Sequence, residues 1–197
     1  MRWENLFDDL EGQLEHELGA EEVDLRAEEE RLRLGRLSLR DRLVSLHRAQ
    51  GRDAAPVTFA LVDARLVAIT PLTFGKDWLS GDLLDSGAGR VQCIVPFSAI
   101  ASVQFQRNQL PPSLDGADGD DQPLAARLGL AFALRDLCRR RRALDLELVV
   151  GRVYGTIDRV GRDHFDLAVH EPGSVRREAE VTQYRTIPFS QVLLLRL

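Results

Sequence analysis

Residues 148–169 read LVVGRVYGTIDRVGRDHFDLAV, and the interpretation of the whole chain starts from this stretch. Its short apolar runs alternate with polar residues, which is typical of β-strands with one buried face. Gly151 and Gly155 predict a sharply bent strand, because a side chain at such a bend would collide with its neighbour. From His164 to His170 we expect the odd-numbered residues to face the core and the even-numbered ones to face away.

The same pattern occurs earlier in the chain, which indicates an internal duplication. The matched segments are 39–41 with 134–136 (LRD), 61–68 with 148–155, 75–79 (GKDWL) with 161–165 (GRDHF), and 96–98 with 188–190 (PFS). In the second pair, small residues are in step at 64/151 and 68/155. Each copy closes on an apolar strand. The sequence therefore predicts one structural unit built twice.

Each unit is predicted to begin with a helix and continue with five short strands. Ser38 and Asp41 suit a helix N-terminus, and the first helix is expected to run to about Arg48, whereas the second is expected over about 124–142. Residues 111–123 are rich in Pro, Gly and Asp, which predicts a solvated linker. The expected domains are an acidic amphipathic helical region (1–36), barrel 1 (37–110), this acidic linker (111–123) and barrel 2 (124–197).

A helix followed by five bent strands in about 70 residues resembles the small β-barrel of Sm-like proteins. The second copy carries the resemblance in 151–157 (GRVYGTI), 161–167 (GRDHFDL) and 187–192 (IPFSQV). The chain is also similar to the C-terminal barrel of the bacterial ribosome-maturation factor, and as a whole it resembles an uncharacterised family of high-GC Gram-positive (actinobacterial) proteins. The implied fold class is α+β, with acidic N-terminal helices followed by two tandem Sm-like (SH3-like) barrels.

For Sm-like proteins the resemblance implies binding of single-stranded RNA, through an Asn after the third-strand turn and an Arg-Gly pair before the last strand. This chain has Asp166 in place of that Asn and the segment Ile187-Pro188-Phe189-Ser190 in place of the pair. A carboxylate that faces phosphates repels them. The uracil pocket of the family is therefore not expected here, since a shared fold does not transfer a site.

Charge is unevenly distributed along the 197 residues, whose formal net charge is −5. Residues 1–33 contain 12 Asp and Glu and four Arg, a net charge of −8, so the remaining 164 residues carry +3. In this acidic region an apolar stripe at helical spacing comprises Trp3, Leu6, Phe7, Leu10, Leu14 and Leu18. Three uses of the stripe remain open: packing on the barrels, self-association, or lying on a membrane, which an acidic polar face disfavours.

Two groups of residues are candidates for binding. Trp3, Phe7, Leu10 and Leu14 are candidate partner-docking residues, together with Trp78, which is expected on a strand face that a helix or a partner must cover. A cluster of arginines forms a candidate nucleic-acid contact: Arg135, Arg139, Arg140, Arg141, Arg142 and Arg152. The alternative for this cluster is a solvated helix end, because helix C-termini favour cations for dipole reasons alone.

No catalytic or metal-binding constellation is expected. Cys93 and Cys138 match no metal or redox spacing, which favours buried thiols in a reducing cytoplasm. His164 and His170 are about 20 Å apart along a strand, too far to share a metal. No stretch has the length of a membrane span, and no cofactor or small-molecule substrate is indicated. We therefore expect a cytoplasmic protein that is not an enzyme.

The leading functional interpretation is a non-enzymatic interaction or adaptor protein that binds a protein partner or itself, because exposed strand edges of small barrels accept partner strands. The alternative is a protein that binds RNA or single-stranded DNA through the arginine cluster of barrel 2. An enzyme with a site between the two barrels is the third possibility.

Overall fold

The computed structural model describes residues 22–51, 54–85, 89–116, 124–173 and 177–197, which form an α+β protein. The helices are α1 (22–36), α2 (Leu39–Gln50), α3 (Leu110–Leu114) and α4 (Leu130–Arg139). The strands are β1 (Val57–Leu61), β2 (Leu66–Phe74), β3 (Trp78–Asp85), β4 (Gly89–Pro96), β5 (Ile100–Gln104), β6 (Ala143–Leu148), β7 (Gly151–Val160), β8 (His164–Val169), β9 (Gln183–Pro188) and β10 (Val192–Arg196). The predicted stripe of Trp3, Phe7, Leu10 and Leu14 lies outside the described residues.

All ten strands belong to one antiparallel sheet in the order β5-β1-β2-β3-β4-β10-β6-β7-β8-β9. The first five positions and the last five have the same internal order, so the repeat predicted from the sequence is a repeat of structure. The sheet is not closed, and β10 of the second half pairs with β4 of the first, so the two predicted units are joined. Leu195 lies opposite Ile94 there, and the Leu197 N–H donates to the Gln92 carbonyl at 2.9 Å. This pairing satisfies backbone groups that two separate units would expose.

The two halves also share their irregularities. The β2–β3 ladder shifts register between Pro71 and Thr73, and the β7–β8 ladder shifts between Ile157 and Arg159. These registers give the correspondence between the halves. Residues of β2 and β3 correspond to residues of β7 and β8 with numbers 86 higher, and residues of β4 and β5 to residues of β9 and β10 with numbers 92 higher. A β-bulge bends its strand and increases the twist, so matched bulges give both halves the same curvature.

The repeated LRD segments have one structural role. The Arg40 guanidinium donates to the Gly75 carbonyl at 2.8 Å, and Arg135 donates to the Gly161 carbonyl at 3.2 Å. Gly75 and Gly161 begin the turns before β3 and β8, where each N–H donates to a carbonyl three residues later at 2.8 Å. In both halves this arginine therefore ties the leading helix to the same turn.

A close contact between two neighbouring strands occurs in both halves, and a glycine makes it possible in each. The glycine is on β7 in the second half and on β3 in the first. A Cβ at Gly155 would lie 2.3 Å from the Ala168 carbonyl oxygen and 3.0 Å from Leu167, whereas a Cβ at Gly81 would lie 2.3 Å from the Thr70 carbonyl oxygen and 2.8 Å from Ile69. By register, Gly155 corresponds to Ile69 and Leu167 to Gly81. Each half thus pairs one aliphatic side chain with one glycine, but the strand that carries the glycine differs between the halves. The structure also shows that residue 155 corresponds to residue 69 and not, as the sequence comparison predicted, to residue 68.

Two hydrophobic cores meet at the junction of the halves. Leu193 and Leu194 of β10 are buried in the core of the first half, while Trp78 and Ile94 of the first half are buried in the core of the second. Because each core takes side chains from the other half, unfolding one half exposes apolar surface of both. The halves are therefore expected to unfold together.

The predicted alternation in β8 holds at its start and fails at its end. Phe165 and Leu167 are fully buried, but so is Ala168, and His170 is only 3% exposed instead of facing solvent. The His170 Nε2 is 2.9 Å from the Thr156 hydroxyl, and its ring meets the Tyr154 ring edge-on at 5.3 Å. These contacts retain His170 in the interior, because they supply partners for its polar ring.

The single helix expected over 124–142 is divided. A 3-10 turn (Leu124–Arg127) comes first, and α4 begins after Gly129, where the Leu130 N–H donates to the Asp77 carboxylate at 2.7 Å. This carboxylate of the first half therefore caps the leading helix of the second. The linker expected over 111–123 begins within a helical turn, α3, whose Ser113 is fully buried.

Residues 22–36 belong to a compact unit (Met1–Leu39) distinct from the unit that carries the sheet (Arg40–Leu197). On α1, ion pairs one turn apart join Arg26 with Glu22, Arg31 with Glu28, and Arg33 with Glu30. Such pairs stabilise an exposed helix modestly. Within the described residues, none of the helices has the length and apolar character needed to cross a bilayer.

Candidate functional site

The turn before β3 is covered by the second half of the chain. Trp78 is 8% exposed, and its indole N–H donates to the Leu128 carbonyl at 3.0 Å. The neighbouring Lys76 N–H donates to the same carbonyl at 2.9 Å. Trp78, a predicted partner-docking residue, is therefore covered by its own chain. The Leu128 carbonyl supplies the hydrogen-bond partner that a buried indole N–H requires.

A groove of about 410 Å³ continues from this turn along the outer face of β2, β3 and β4. The first half lines it with Leu72, Ser80 and Ile94, and the second half closes it with Phe132, Leu137 and Leu197, among others. Together with the β4–β10 pairing, this makes the outer side of the first half a surface on which a strand and a helix of the second half are docked.

The second half has the equivalent surface, but with different chemistry. Position 72 corresponds to Asp158, 80 to Asp166, 92 to Tyr184 and 94 to Thr186. These residues line a groove of about 380 Å³, which we call the β9 groove: Asp158, Arg159, Asp166, Glu178, Tyr184 and Thr186. Leucine and isoleucine at the occupied surface are thus replaced by aspartate and threonine at the outer one.

Polar contacts organise the β9 groove. The Thr186 hydroxyl donates to Asp166 at 2.7 Å, and the Arg159 guanidinium lies 3.8 Å from the same carboxylate. The Tyr184 hydroxyl donates to Glu178 at 3.4 Å, while 54% of Tyr184 remains exposed. The groove therefore offers oriented acceptors and an exposed aromatic ring, and its described lining residues include three carboxylates and one guanidinium.

The backbone of β9 is paired on one side only, within the described part of the chain. The Phe189 N–H donates to the Asp163 carbonyl at 2.8 Å, which makes these two residues a hydrogen-bonded pair. Because such pairs alternate along an antiparallel ladder, the N–H and C=O groups of Tyr184 and Thr186 point outward. In the first half, Gln92 and Ile94 have this orientation and bond to β10.

A buried ion cluster fastens the two halves at another place. Glu147 on β6 has only 4% of its side chain exposed, and it accepts hydrogen bonds from Arg196 at 2.8 Å and from Arg65. Arg65 belongs to the first half and also lies 2.5 Å from Asp63, whose pKa is lowered by hydrogen bonds from Arg65 that outweigh its desolvation. The cluster has no equivalent within the first half, where Ala60 occupies the position of Glu147.

The six arginines predicted to contact nucleic acid are largely engaged within the chain. Arg135 donates to Gly161, as described above. Arg139 and Arg140 bind Asp136 at 2.5 and 2.7 Å, and the hydrogen bond from Arg139, with that from Arg140, lowers the pKa of this carboxyl group. Arg152 binds Asp145 at 2.6 Å.

Arg141 and Arg142 are exposed beyond the end of α4. Among the described residues, no carboxylate forms an ion pair with either of these two guanidinium groups, and both are exposed. Two cations at a helix C-terminus match the dipole preference as well as they match phosphates.

The two cysteines differ in access. Cys93 is 1% exposed, and burial raises the pKa of its thiol to about 12, whereas Cys138 is half-buried and burial raises its pKa in the same direction. Only the thiolate attacks an electrophile, and at pH 8 the Cys93 thiol is almost entirely protonated. Among the described residues, no group of three His, Cys, Asp or Glu side chains is placed to hold a metal ion.

Alkylation with iodoacetamide at pH 8 is expected to label Cys138 in the folded protein and Cys93 only after denaturation. The reason is that Cys93 lacks both access and thiolate. Peptide mass mapping of the alkylated sites measures this. In Cys138→Ser, labelling of the folded protein should disappear, and rapid labelling of Cys93 in that variant would contradict its burial.

Sequence reasoning pointed to strand edges in general but did not single out β9. The signal was present in the repeat itself, since alignment of PFS at 96–98 with 188–190 places Ile94 against Thr186. The chain matches no protein-family model, no curated protein and no solved structure.

Proposed function

We propose that this chain is a non-enzymatic interaction protein that holds an extended segment of a protein partner against the outer edge of β9. One observation carries the proposal: the equivalent edge, β4, is occupied by a strand. There the Leu197 N–H donates to the Gln92 carbonyl at 2.9 Å, and Tyr184 is the equivalent of Gln92. Addition of a strand to an exposed sheet edge is a common mode of peptide recognition.

An Sm-like relationship is part of this proposal. It is supported by the shared strand order of the two halves and by their matched bulges. In this view each half is one Sm-like unit, the junction of β4 with β10 joins the units, and the adaptor role belongs to the outer edge of β9.

The length of the accepted segment is limited by the sequence of β9. Pro188 ends the strand and has no N–H to offer. Tyr184 and Thr186 therefore supply the outward donors, and a segment of about six residues would cover the strand. Edge prolines also prevent unlimited strand addition, which protects a sheet from aggregation.

The experiment selects 12-residue peptides from a phage-displayed library on the full-length protein and measures their dissociation constants. For selected peptides, Thr186→Pro is expected to weaken binding at least about tenfold, because it removes one outward donor and distorts its neighbour. Amide hydrogen exchange should slow at Tyr184 and Thr186 on binding. The matched control is Thr186→Val, which keeps the N–H and the β-branched shape and should bind about as well as the parent.

Peptides that bind equally to the parent and Thr186→Pro would overturn the proposal, as would exchange protection confined to other strands. RNA or single-stranded DNA binding through the arginine cluster is the alternative function. It is less well supported, since four of its six arginines are engaged within the chain. Oligonucleotide binding that falls steeply with salt and is lost in the Arg141→Ser, Arg142→Ser variant would favour that alternative.

A further inference from the structure

We infer that the β9 groove selects a basic partner segment, with Lys or Arg at alternate positions of an extended strand. The inference rests on the proposed function, and it adds the chemistry of the partner. It depends on a difference between two equivalent surfaces. The surface of the first half is apolar and covered by the second half, whereas the β9 groove is acidic and exposed.

The first step concerns what a second copy of this chain would bring. At the internal junction Ile94 lies opposite Leu195, and Leu193 and Leu194 are buried beside it. At the two outer edges of the sheet, Thr186 of β9 is the equivalent of Ile94, and residues 101–103 (Ala-Ser-Val) of β5 are the equivalents of residues 193–195. A contact between β9 and β5 of another copy would therefore bury little apolar surface, and this head-to-tail contact between copies is disfavoured.

The second step concerns where the side chains of a docked strand would lie. In an antiparallel pair, directly opposite residues have their side chains on the same face. The side chains of Tyr184 and Thr186 lie on the face of the β9 groove, where Thr186 is the cross-strand neighbour of Asp166. Residues opposite Tyr184 and Thr186 would thus project over the carboxylates, and these residues are two apart in the docked strand.

The third step concerns charge. Among the described residues that line it, the β9 groove has Asp158, Asp166 and Glu178 against Arg159, whose side chain is 83% exposed. A docked cation compensates this excess, whereas a docked carboxylate adds to it. The exposed Tyr184 ring adds a second attraction, because the face of an aromatic ring binds ammonium and guanidinium groups. The matching positions of the first half, Leu72 and Ser80, provide no such attraction.

The experiment titrates ¹⁵N-labelled full-length protein with three synthetic peptides of eight residues, in which Thr alternates with Lys, Glu or Ser. The Lys peptide is expected to bind at least about tenfold more tightly than the Ser peptide, and the Glu peptide more weakly than both. Increasing the salt concentration should reduce the advantage of the Lys peptide, since exposed charge pairs are screened. Shifts of the Tyr184 and Thr186 amides report on the site.

The variant Asp166→Asn, Glu178→Gln should lower the affinity for the Lys peptide about three- to tenfold and leave that for the Ser peptide unchanged. Asp115→Asn, at an exposed carboxylate outside the groove, is the matched control and should change neither. If all three peptides bind equally and Thr186→Pro weakens the binding of each, the inference is overturned and the proposed function stands. Amide shifts away from β9 would overturn both. Dimerisation in sedimentation that Thr186→Pro abolishes would overturn the inference, because the occupant of β9 would then be a second copy.

Discussion

Glu147→Ala is expected to lower the free energy of unfolding by about 3–5 kcal/mol, which is the usual cost of removing one partner from a buried ion cluster. The substitution leaves Arg196, whose side chain is 21% exposed, without the carboxylate that accepts at 2.8 Å, and it also deprives Arg65 of its partner across the halves. Glu147→Gln keeps the shape and one acceptor, so it should cost less. Urea unfolding followed by circular dichroism measures both.

The control is Asp145→Ala on the same strand. Asp145 pairs with Arg152, whose side chain is 61% exposed, and such an exposed pair contributes about 1 kcal/mol or less. Replacement of Glu147 and Arg196 together by methionine should recover much of the loss, because Arg65 keeps the Asp63 carboxylate as its partner. A cost for Glu147→Ala no larger than that for Asp145→Ala would show that the cluster does not hold the halves together.

Gly155→Ile is expected to destabilise the protein by about 3 kcal/mol or to prevent its folding. The new Cβ would lie 2.3 Å from the Ala168 carbonyl oxygen, and a backbone atom in the middle of a sheet cannot move aside cheaply. Thermal unfolding together with the yield of folded protein measures the effect.

The first half suggests the rescue. There Ile69 stands at the position of Gly155 and Gly81 at the position of Leu167, so Gly155→Ile combined with Leu167→Gly rebuilds that arrangement. We expect the double variant to be more stable than Gly155→Ile alone, because glycine at 167 removes the side chain 3.0 Å from the new Cβ and gives the adjoining backbone the freedom to shift. Leu167→Gly alone serves as the control, since it leaves a cavity and adds backbone freedom. A double variant that is no more stable than Gly155→Ile would contradict the reversed pairing.

Local sequence predicted the elements of this protein well. The strand runs, the turns at Gly75 and Gly161 and the repeated PFS segment all have their structural counterparts, because alternation and turn chemistry are properties of neighbouring residues. The same reasoning failed for His170, which is buried by Thr156 and Tyr154, residues of another strand. For Trp78 it left open whether a helix or a partner provides the cover, since the group that binds the indole, the Leu128 carbonyl, lies 50 residues away.

The candidate site was harder to predict than the fold. Exposed strand edges were expected, but that β4 is covered while its equivalent β9 is not depends on the pairing of β4 with β10, which joins residues about 100 positions apart. Periodicity along one strand shows which face is buried, but it does not show which distant strand lies beside it. The charge of the β9 groove acquires meaning only after register shows that Asp158 and Thr186 replace Leu72 and Ile94.

By itself, the amino-acid sequence determined that this protein contains one α+β unit twice, because duplicated turns and apolar periods specify the same local structure wherever they occur. Only the tertiary structure decided that the two units form one continuous sheet, that Glu147 is buried between arginines of both halves, and that β9 faces outward. The physical reason is that strand pairing and charge burial are long-range: their free energies depend on which surfaces meet in three dimensions.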